Sequence, residues 1–306
     1  MSEVPVAVGL AGVAGVAAVA GVAGVAGVVR PGAGAAGGEV AAREAAGEVV
    51  PLEASLRAAR DGGRKLLVPY VTGGLGSHWV EVLQAMVSSG ADAVEIGIPF
   101  SDPVMDGPTI QEASLRALQL GATPPGILSE LRRVRVGVPL IAMTYYNLVF
   151  RGGHRRFAHN LIEAGVAGII LPDVPLEELG DWSRAADEAG VETVLLAAPI
   201  TPDDRLAELC RRSRGFVYGV NLMGVTGERS AVASSARQLG ERLKAATDKP
   251  VLMGFGVSTP EQAAEAASYA DGVIVASALM RLLLDGASPE RIGDRVAELR
   301  AALDDT

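Results

Sequence analysis

One cysteine, three histidines and three lysines are all that 306 residues supply of the side chains most used as nucleophiles, metal ligands or Schiff-base formers. Cys210 alone cannot make an intrachain disulfide, so nothing demands an oxidising compartment and a cytoplasmic chain is expected. Positive charge is also short, with 27 Lys and Arg against 36 Asp and Glu, a net charge of −9. That balance sets nucleic acid and anionic membrane surfaces aside as partners. Charge is missing altogether from residues 4–29, where Gly, Val and Ala alternate. The run is long enough for a bilayer, but recurrent glycine and the weak transfer energy of alanine suit a spanning helix poorly. Glu3 stands where a signal peptide would carry its basic residues. Residues 1–50 are read as a disordered low-complexity extension, with a membrane or targeting role as the alternative.

The texture changes at residue 51. From there to 306, short β-rich runs fall at 66–71, 94–98, 140–145, 168–171, 193–197, 216–220, 251–255 and 272–275. Helical apolar spacing separates many of them, at 79–89, 114–120, 156–164, 177–189, 231–245 and 260–267, and two closing helices are expected at 277–284 and 291–303. Eight strands with crossover helices predict an α/β domain, a parallel (β/α)8 TIM barrel, in preference to a doubly wound open sheet. In such a barrel chemistry belongs at the C-terminal ends of the strands and in the loops after them.

The second strand and its exit read AVEIGIPFSDP over 93–103. Alternation puts Ala93, Glu95 and Gly97 on one face and Val94, Ile96 and Ile98 on the other. The branched residues suit the helix side, so Glu95 points into the barrel. A carboxylate there is costly unless it is ion-paired or acts as an acid/base raised toward neutrality by burial. Asp106, in DGPTIQ over 106–111, is either a turn or cap residue or a second working acid at the same strand exit. Glycine-bearing loops occur at 224–227 (GVTG) and 254–258 (GFGVS), and Ala276-Ser277-Ala278 opens a short helix. Backbone N–H groups in such loops can approach an anion, so a phosphorylated substrate is expected.

The shortages now narrow the reaction. Lys65 and Lys249 precede strands one and seven, and Lys244 lies in a helix, so no lysine is placed for a Schiff base or pyridoxal phosphate. His78, His154 and His159 stand at no strand end, so no catalytic metal is expected. Acid–base lyase chemistry remains.

The motif VEIGIPFSDP followed by DGPTIQ resembles that of tryptophan synthase alpha subunits. PYVT at 69–72, YYNLVF at 145–150, LPDVP at 171–175, GVTG and GFG complete the likeness, which runs from about residue 52 to the end. The resemblance implies retro-aldol cleavage of indole-3-glycerol phosphate into indole and glyceraldehyde 3-phosphate. Glu95 would be the acid/base and Asp106 the carboxylate facing the indole N–H. Tyr218 would stand beside the glutamate, and Thr226 would hold Asp106 when its loop closes. Gly227, Phe255, Gly256, Ala276 and Ser277 would bind phosphate. Pro99, Asp102 and Asn147 would face a beta subunit carrying pyridoxal phosphate, in an alpha-beta-beta-alpha tetramer. Asn221-Leu222-Met223 and Ala276 depart from the family pattern, which commonly has Ser-Arg before GVTG and often glycine at the latter position. A stand-alone lyase, a non-catalytic barrel that activates a partner, and an unrelated phosphate-binding barrel are the competing readings.

Overall fold

The computed structural model describes residues 49–220, 229–254 and 256–306. Nearly all of the 1–50 extension lies outside the described residues, as do the sequence-expected positions Thr226, Gly227 and Phe255. The chain begins α1 (Leu52–Asp61), β1 (Leu66–Thr72), α2 (Trp79–Ser88), β2 (Val94–Gly97), α3 (Pro108–Gln119), α4 (Pro124–Leu131) and β3 (Leu140–Met143). It continues α5 (Tyr146–Gly152), α6 (His154–Glu163), β4 (Val166–Ile170), α7 (Gly180–Ala189), β5 (Glu192–Ala197), α8 (Asp203–Arg212) and β6 (Val217–Val220). Then come α9 (Arg229–Ala246), β7 (Val251–Gly254), α10 (Pro260–Ala267), β8 (Gly272–Val275), α11 (Ser277–Leu284) and α12 (Pro289–Asp304).

Each strand pairs in parallel with the next in sequence, and β8 returns to β1 with Leu66 opposite Gly272. The sheet is closed, so the TIM barrel is the fold and the open sheet is excluded. Closure gives every strand an inner and an outer face. Leu66, Val68, Ala93, Phe216, Leu252 and Ile274 gather inside. Their strand neighbours Leu67, Val94, Val217, Val251 and Val273 pack outward against the helices. Period-two alternation thus separates two apolar layers, one filling the barrel and one beneath the helical ring.

The N-terminal end of the barrel is plugged by α1. Leu52 and Leu56 are fully buried in the inner cluster. Leu52 sits where side chains at Gly168 and Gly215 would collide with it, since a Cβ at either would lie 2.6 or 2.5 Å from Leu52 Cδ2. The Glu192 carboxylate accepts the Leu52 and Glu53 N–H groups at 2.7 and 2.9 Å, satisfying two donors that open the helix without internal partners. A carboxylate at that end also suits the helix dipole.

Three sequence expectations shift. Tyr145 leaves the strand: β3 ends at Met143, Thr144 donates its N–H to Ile170 O at 3.1 Å, and Tyr145 becomes the N-cap of α5. The helix expected from 114 begins at Pro108, because proline at the first helical position is pre-shaped for it. Helices α1, α4, α5 and α8 were not read from sequence. Among the described residues no helix is long and apolar enough to cross a membrane.

Truncating the plug tests its weight. Leu52→Ala should lower unfolding free energy by about 3 kcal/mol, within the 2–5 kcal/mol usual for a buried leucine. Denaturant titration should show a lower midpoint with an unchanged slope.

Candidate active site

Glu95 occupies the inner face of β2, in register with Tyr70 on β1 and Ile141 on β3. It is 1 % exposed, and its Oε2 has no hydrogen-bond partner. Burial, reinforced by the nearby Asp106 charge, pushes its carboxyl from an ordinary 4.5 to about 8. No arginine or lysine is ion-paired to it among the described residues, so the ion-pair explanation of a buried carboxyl finds no support. At neutral pH Glu95 holds its proton.

Asp106 lies in the loop between β2 and α3. Its N–H donates to Pro103 O at 3.0 Å and its carbonyl accepts from Gln111 Nε2 at 2.9 Å, a knot that turns the loop back toward the mouth. Tyr145 completes the hold: its hydroxyl accepts the Met105 N–H at 2.9 Å and donates to Asp106 Oδ2 at 3.2 Å. The Tyr145 ring stacks on Phe100, centroids 5.0 Å apart. Partial burial raises the Asp106 carboxyl to about 6, and the Tyr145 hydroxyl restrains that rise. The two carboxyls at one strand exit are therefore in different states near pH 7, one neutral and one ionised.

Two further phenols close on the site. Tyr218, on β6, is buried, and burial followed by the Glu95 and Asp106 charges drives its hydroxyl well above the ordinary tyrosine range. Tyr70 is buried likewise, with Thr72 Oγ1 3.3 Å from its hydroxyl. Each ring is admitted by a glycine on the adjacent strand. A Cβ on Gly97 would lie 1.8 Å from Tyr70 Oη, and one on Gly254 2.6 Å from Tyr218 Oη. Tyr70 and Tyr145 were not singled out as site residues from sequence. Their signal was the tyrosine at a strand end within PYVT and YYNLVF, paired with glycine two residues after Glu95.

The exits of β7 and β8 hold the described positions that the sequence expects to bind phosphate. Gly256 is exposed with φ of +66°, a conformation that glycine adopts without strain. The loop behind it is tied down where Ser258 N–H donates to Gln262 Oε1 at 2.8 Å and Arg295 Nη2 donates to Ser258 O at 2.6 Å. Ala276 caps α11, its carbonyl accepting from Leu279 and Met280, and its methyl packs against the outer apolar layer. Ser277 is exposed and starts that helix, where the first N–H groups lack internal acceptors.

The three lysines lie away from this mouth. Lys65 Nζ donates to Ala267 O and Ala270 O, Lys249 Nζ to Cys210 O and Ser213 O, and Lys244 pairs with Asp271. His78 and His159 pair with surface glutamates, and His154 Nε2 lies 2.9 Å from Tyr146 Oη. Among the described residues no group of three or more His, Cys, Asp or Glu is set to hold a metal. Of the positions expected to face a partner, Asp102 and Asn147 are exposed, whereas Pro99 is buried within its own chain. The same loop and helix instead expose Val104 (78 %), Met105 (49 %) and Phe150 (64 %).

Fold and site together define a (β/α)8-barrel enzyme whose titratable groups converge at the strand C-terminal ends. The family model for tryptophan synthase alpha chain matches residues 56–305. The tryptophan synthase alpha chain of Thermobifida fusca is 43% identical over 262 residues, covering 82% of this chain and 97% of the relative. That of Streptomyces coelicolor is 44% identical over 243 residues, covering 78% and 90%. Among solved structures, tryptophan synthase from Mycobacterium tuberculosis aligns with a TM-score of 0.76 at 39% identity, covering 84% of this chain and 99% of that one. The chain belongs to the tryptophan synthase alpha chain family.

Glu95→Gln should make the protein more stable. The folded state holds a proton that the unfolded state releases above its ordinary 4.5, so the native carboxyl costs stability increasingly as pH rises from there to about 8. The neutral variant escapes this, by up to about 3 kcal/mol at pH 7. Melting temperature against pH should show the gap between variant and wild type widening from pH 5 to 8. A gap that narrows with pH contradicts the buried neutral acid.

Proposed function

We propose that this chain catalyses the alpha reaction of tryptophan synthase in the cytoplasm: retro-aldol cleavage of indole-3-glycerol phosphate to indole and glyceraldehyde 3-phosphate. The observation that carries the reading is a buried carboxyl with no ion-pair partner among the described residues, Glu95, at the same strand exit as the less buried, Tyr145-held Asp106, which favours the neutral form of the first and the ionised form of the second.

Cleavage needs a proton delivered to the indole C3 carbon, a cationic ring tolerated for an instant, and a proton removed from the glycerol hydroxyl beside the breaking bond. Glu95 is protonated at neutral pH and donates to C3. Asp106, ionised, accepts the indole N–H and stabilises the positive charge that spreads over the ring. The C3–glycerol bond then breaks, its electron pair restores the aromatic indole, and the hydroxyl carbon becomes the aldehyde. The hydroxyl proton returns to Glu95, so the proton count closes without any cofactor. Tyr218 and Tyr70 wall the site against water, which keeps Glu95 neutral. At the other end Gly256, with Ser277 and the N-terminus of α11, is suited to the phosphate, and the Ala276 methyl is turned into the apolar layer. Phe255, Gly227 and the Asp106-holding Thr226 belong to the same proposal.

Indole is small, uncharged and membrane-permeant, which favours direct delivery to a consuming enzyme. A pyridoxal-phosphate beta subunit is the proposed partner, in an alpha-beta-beta-alpha assembly. Asp102, Asn147, Val104, Met105 and Phe150 supply its docking face, and Pro99 shapes the loop from within. Docking that favours the productive Asp106 position by about 1.4 kcal/mol would raise turnover tenfold.

The test is indole release from indole-3-glycerol phosphate by the purified chain, with and without a cognate beta subunit. Glu95→Gln should lose at least about 10²–10⁴-fold in kcat. For the wild type, kcat/KM should rise through about pH 6 as Asp106 ionises and fall through about pH 8 as Glu95 loses its proton. Near-normal turnover by Glu95→Gln overturns the assignment. Full activity alone, with no complex formed, would leave the lyase standing and remove the partner.

A further inference from the structure

We propose that Asp173, in the loop after β4, is a positioning residue for the Asp106 carboxylate, acting through the turn that carries Tyr145. The inference rests on the role given to Asp106 above, and on a chain of contacts crossing three successive strand exits.

At the β2 exit, one phenol ties the loop tip and its carboxylate together. Tyr145 Oη holds the loop backbone through Met105 N–H and the loop's working carboxylate through Asp106 Oδ2, while its ring stacks on Phe100 where the same loop begins. Among the described residues no other group donates a hydrogen bond to the Asp106 carboxylate. The Pro103 and Gln111 contacts fix the Asp106 backbone, and Tyr145 sets the aim of its carboxylate.

At the β3 exit, the backbone on either side of Tyr145 is pinned. Before it, Thr144 N–H donates to Ile170 O at 3.1 Å and Thr144 Oγ1 to Ile98 O at 3.3 Å, tying the turn to its two neighbouring strands. After it, the Tyr146 N–H opens α5 and has no partner within the helix. Asp173, from the β4 exit, accepts that N–H with both carboxylate oxygens, at 2.9 and 3.2 Å. Helix α5 spans seven residues and its N-cap, Tyr145, offers no side-chain cap. So short a helix has little stability of its own, and its first turn takes its direction from Asp173. Asp173 is exposed, so in its absence water can satisfy the same N–H but cannot orient it. The residue therefore matters more to the aim of Tyr145 than to folding.

The test uses the full-length chain without a beta subunit, so that docking does not enter. Asp173→Ala should lower kcat roughly ten- to a hundredfold, the scale of a small misplacement of a reacting group, with a much smaller change in KM. It should also move the acid limb of the pH profile upward, because the Tyr145 hydroxyl that restrains the Asp106 carboxyl is no longer aimed at it. The titratable groups facing Asp106 are Glu95 on β2, Tyr70 on β1, Tyr218 on β6 and Tyr145; all are raised, so near pH 6 the limb reports Asp106. Asp173→Asn keeps an acceptor for Tyr146 N–H and should recover most of the rate. Tyr145→Phe combined with Asp173→Ala should be no slower than Tyr145→Phe alone. An unmoved acid limb in Asp173→Ala, or fully multiplicative losses in the double variant, would overturn the relay even if the melting temperature fell. Should the wild type release no indole, the functional reading fails by itself. The relay is then judged by carbon-13 NMR titration of the Asp106 carboxyl, which must shift upward in Asp173→Ala for the proposal to stand.

Discussion

Closing eight parallel strands into one barrel gives each an inner face that water barely reaches, and on β2 that face carries a carboxyl group. Alternation leaves no choice: Val94, Ile96 and Ile98 are taken up by the outer apolar layer, so Glu95 must look inward. With no cation paired to it and Oε2 unpartnered among the described residues, the group avoids the cost of a buried charge by keeping its proton. The other features of the mouth depend on holding that proton in place. Tyr70 and Tyr218 are buried beside it, and Gly97 and Gly254 leave room for their rings. Asp106, less buried and restrained by Tyr145, can be ionised a short way up the same exit.

The two ends of the barrel divide stability from chemistry. At the base, α1 fills the interior, Glu192 anchors its first turn, and Lys65 and Lys249 donate to carbonyls that end the neighbouring elements. Every lysine serves structure there. At the mouth two groups are held short of their most comfortable states: one acid neutral and one phenol shared between a backbone N–H and a carboxylate. Such local cost is tolerated because the inner and outer apolar layers below it are continuous.

Much of this was legible in the residues alone, for a physical reason. Strands buried on both faces read as β-branched runs, so all eight were placed, and 272–275 agrees to the residue with β8. The inward aim of Glu95 came from period two. Long-range capping was not legible. Nothing local says that Glu192 will satisfy the start of α1, or that Asp173 will open α5, because each partner comes from a distant loop. Tyr145 looked like strand because tyrosine favours strands, yet its backbone caps α5, whose first N–H turns to Asp173. Helix α8 is a different case: Leu206, Leu209 and Cys210 form an apolar stripe between acidic and basic ends, a pattern present in the sequence but confined to 10 residues. Pro99, which the resemblance sets toward a partner, is buried within its own chain.

The central claim is that Glu95 is a neutral carboxylic acid at physiological pH, and it can be observed without turnover. Carbon-13 labelling of glutamate side chains, with Glu95→Gln to assign the resonance, tracks that one carboxyl through a pH titration. The account predicts a signal in the protonated position at pH 7 that moves with a midpoint near 8. A signal already in the carboxylate position at pH 7, with a midpoint near the ordinary 4.5, would contradict it.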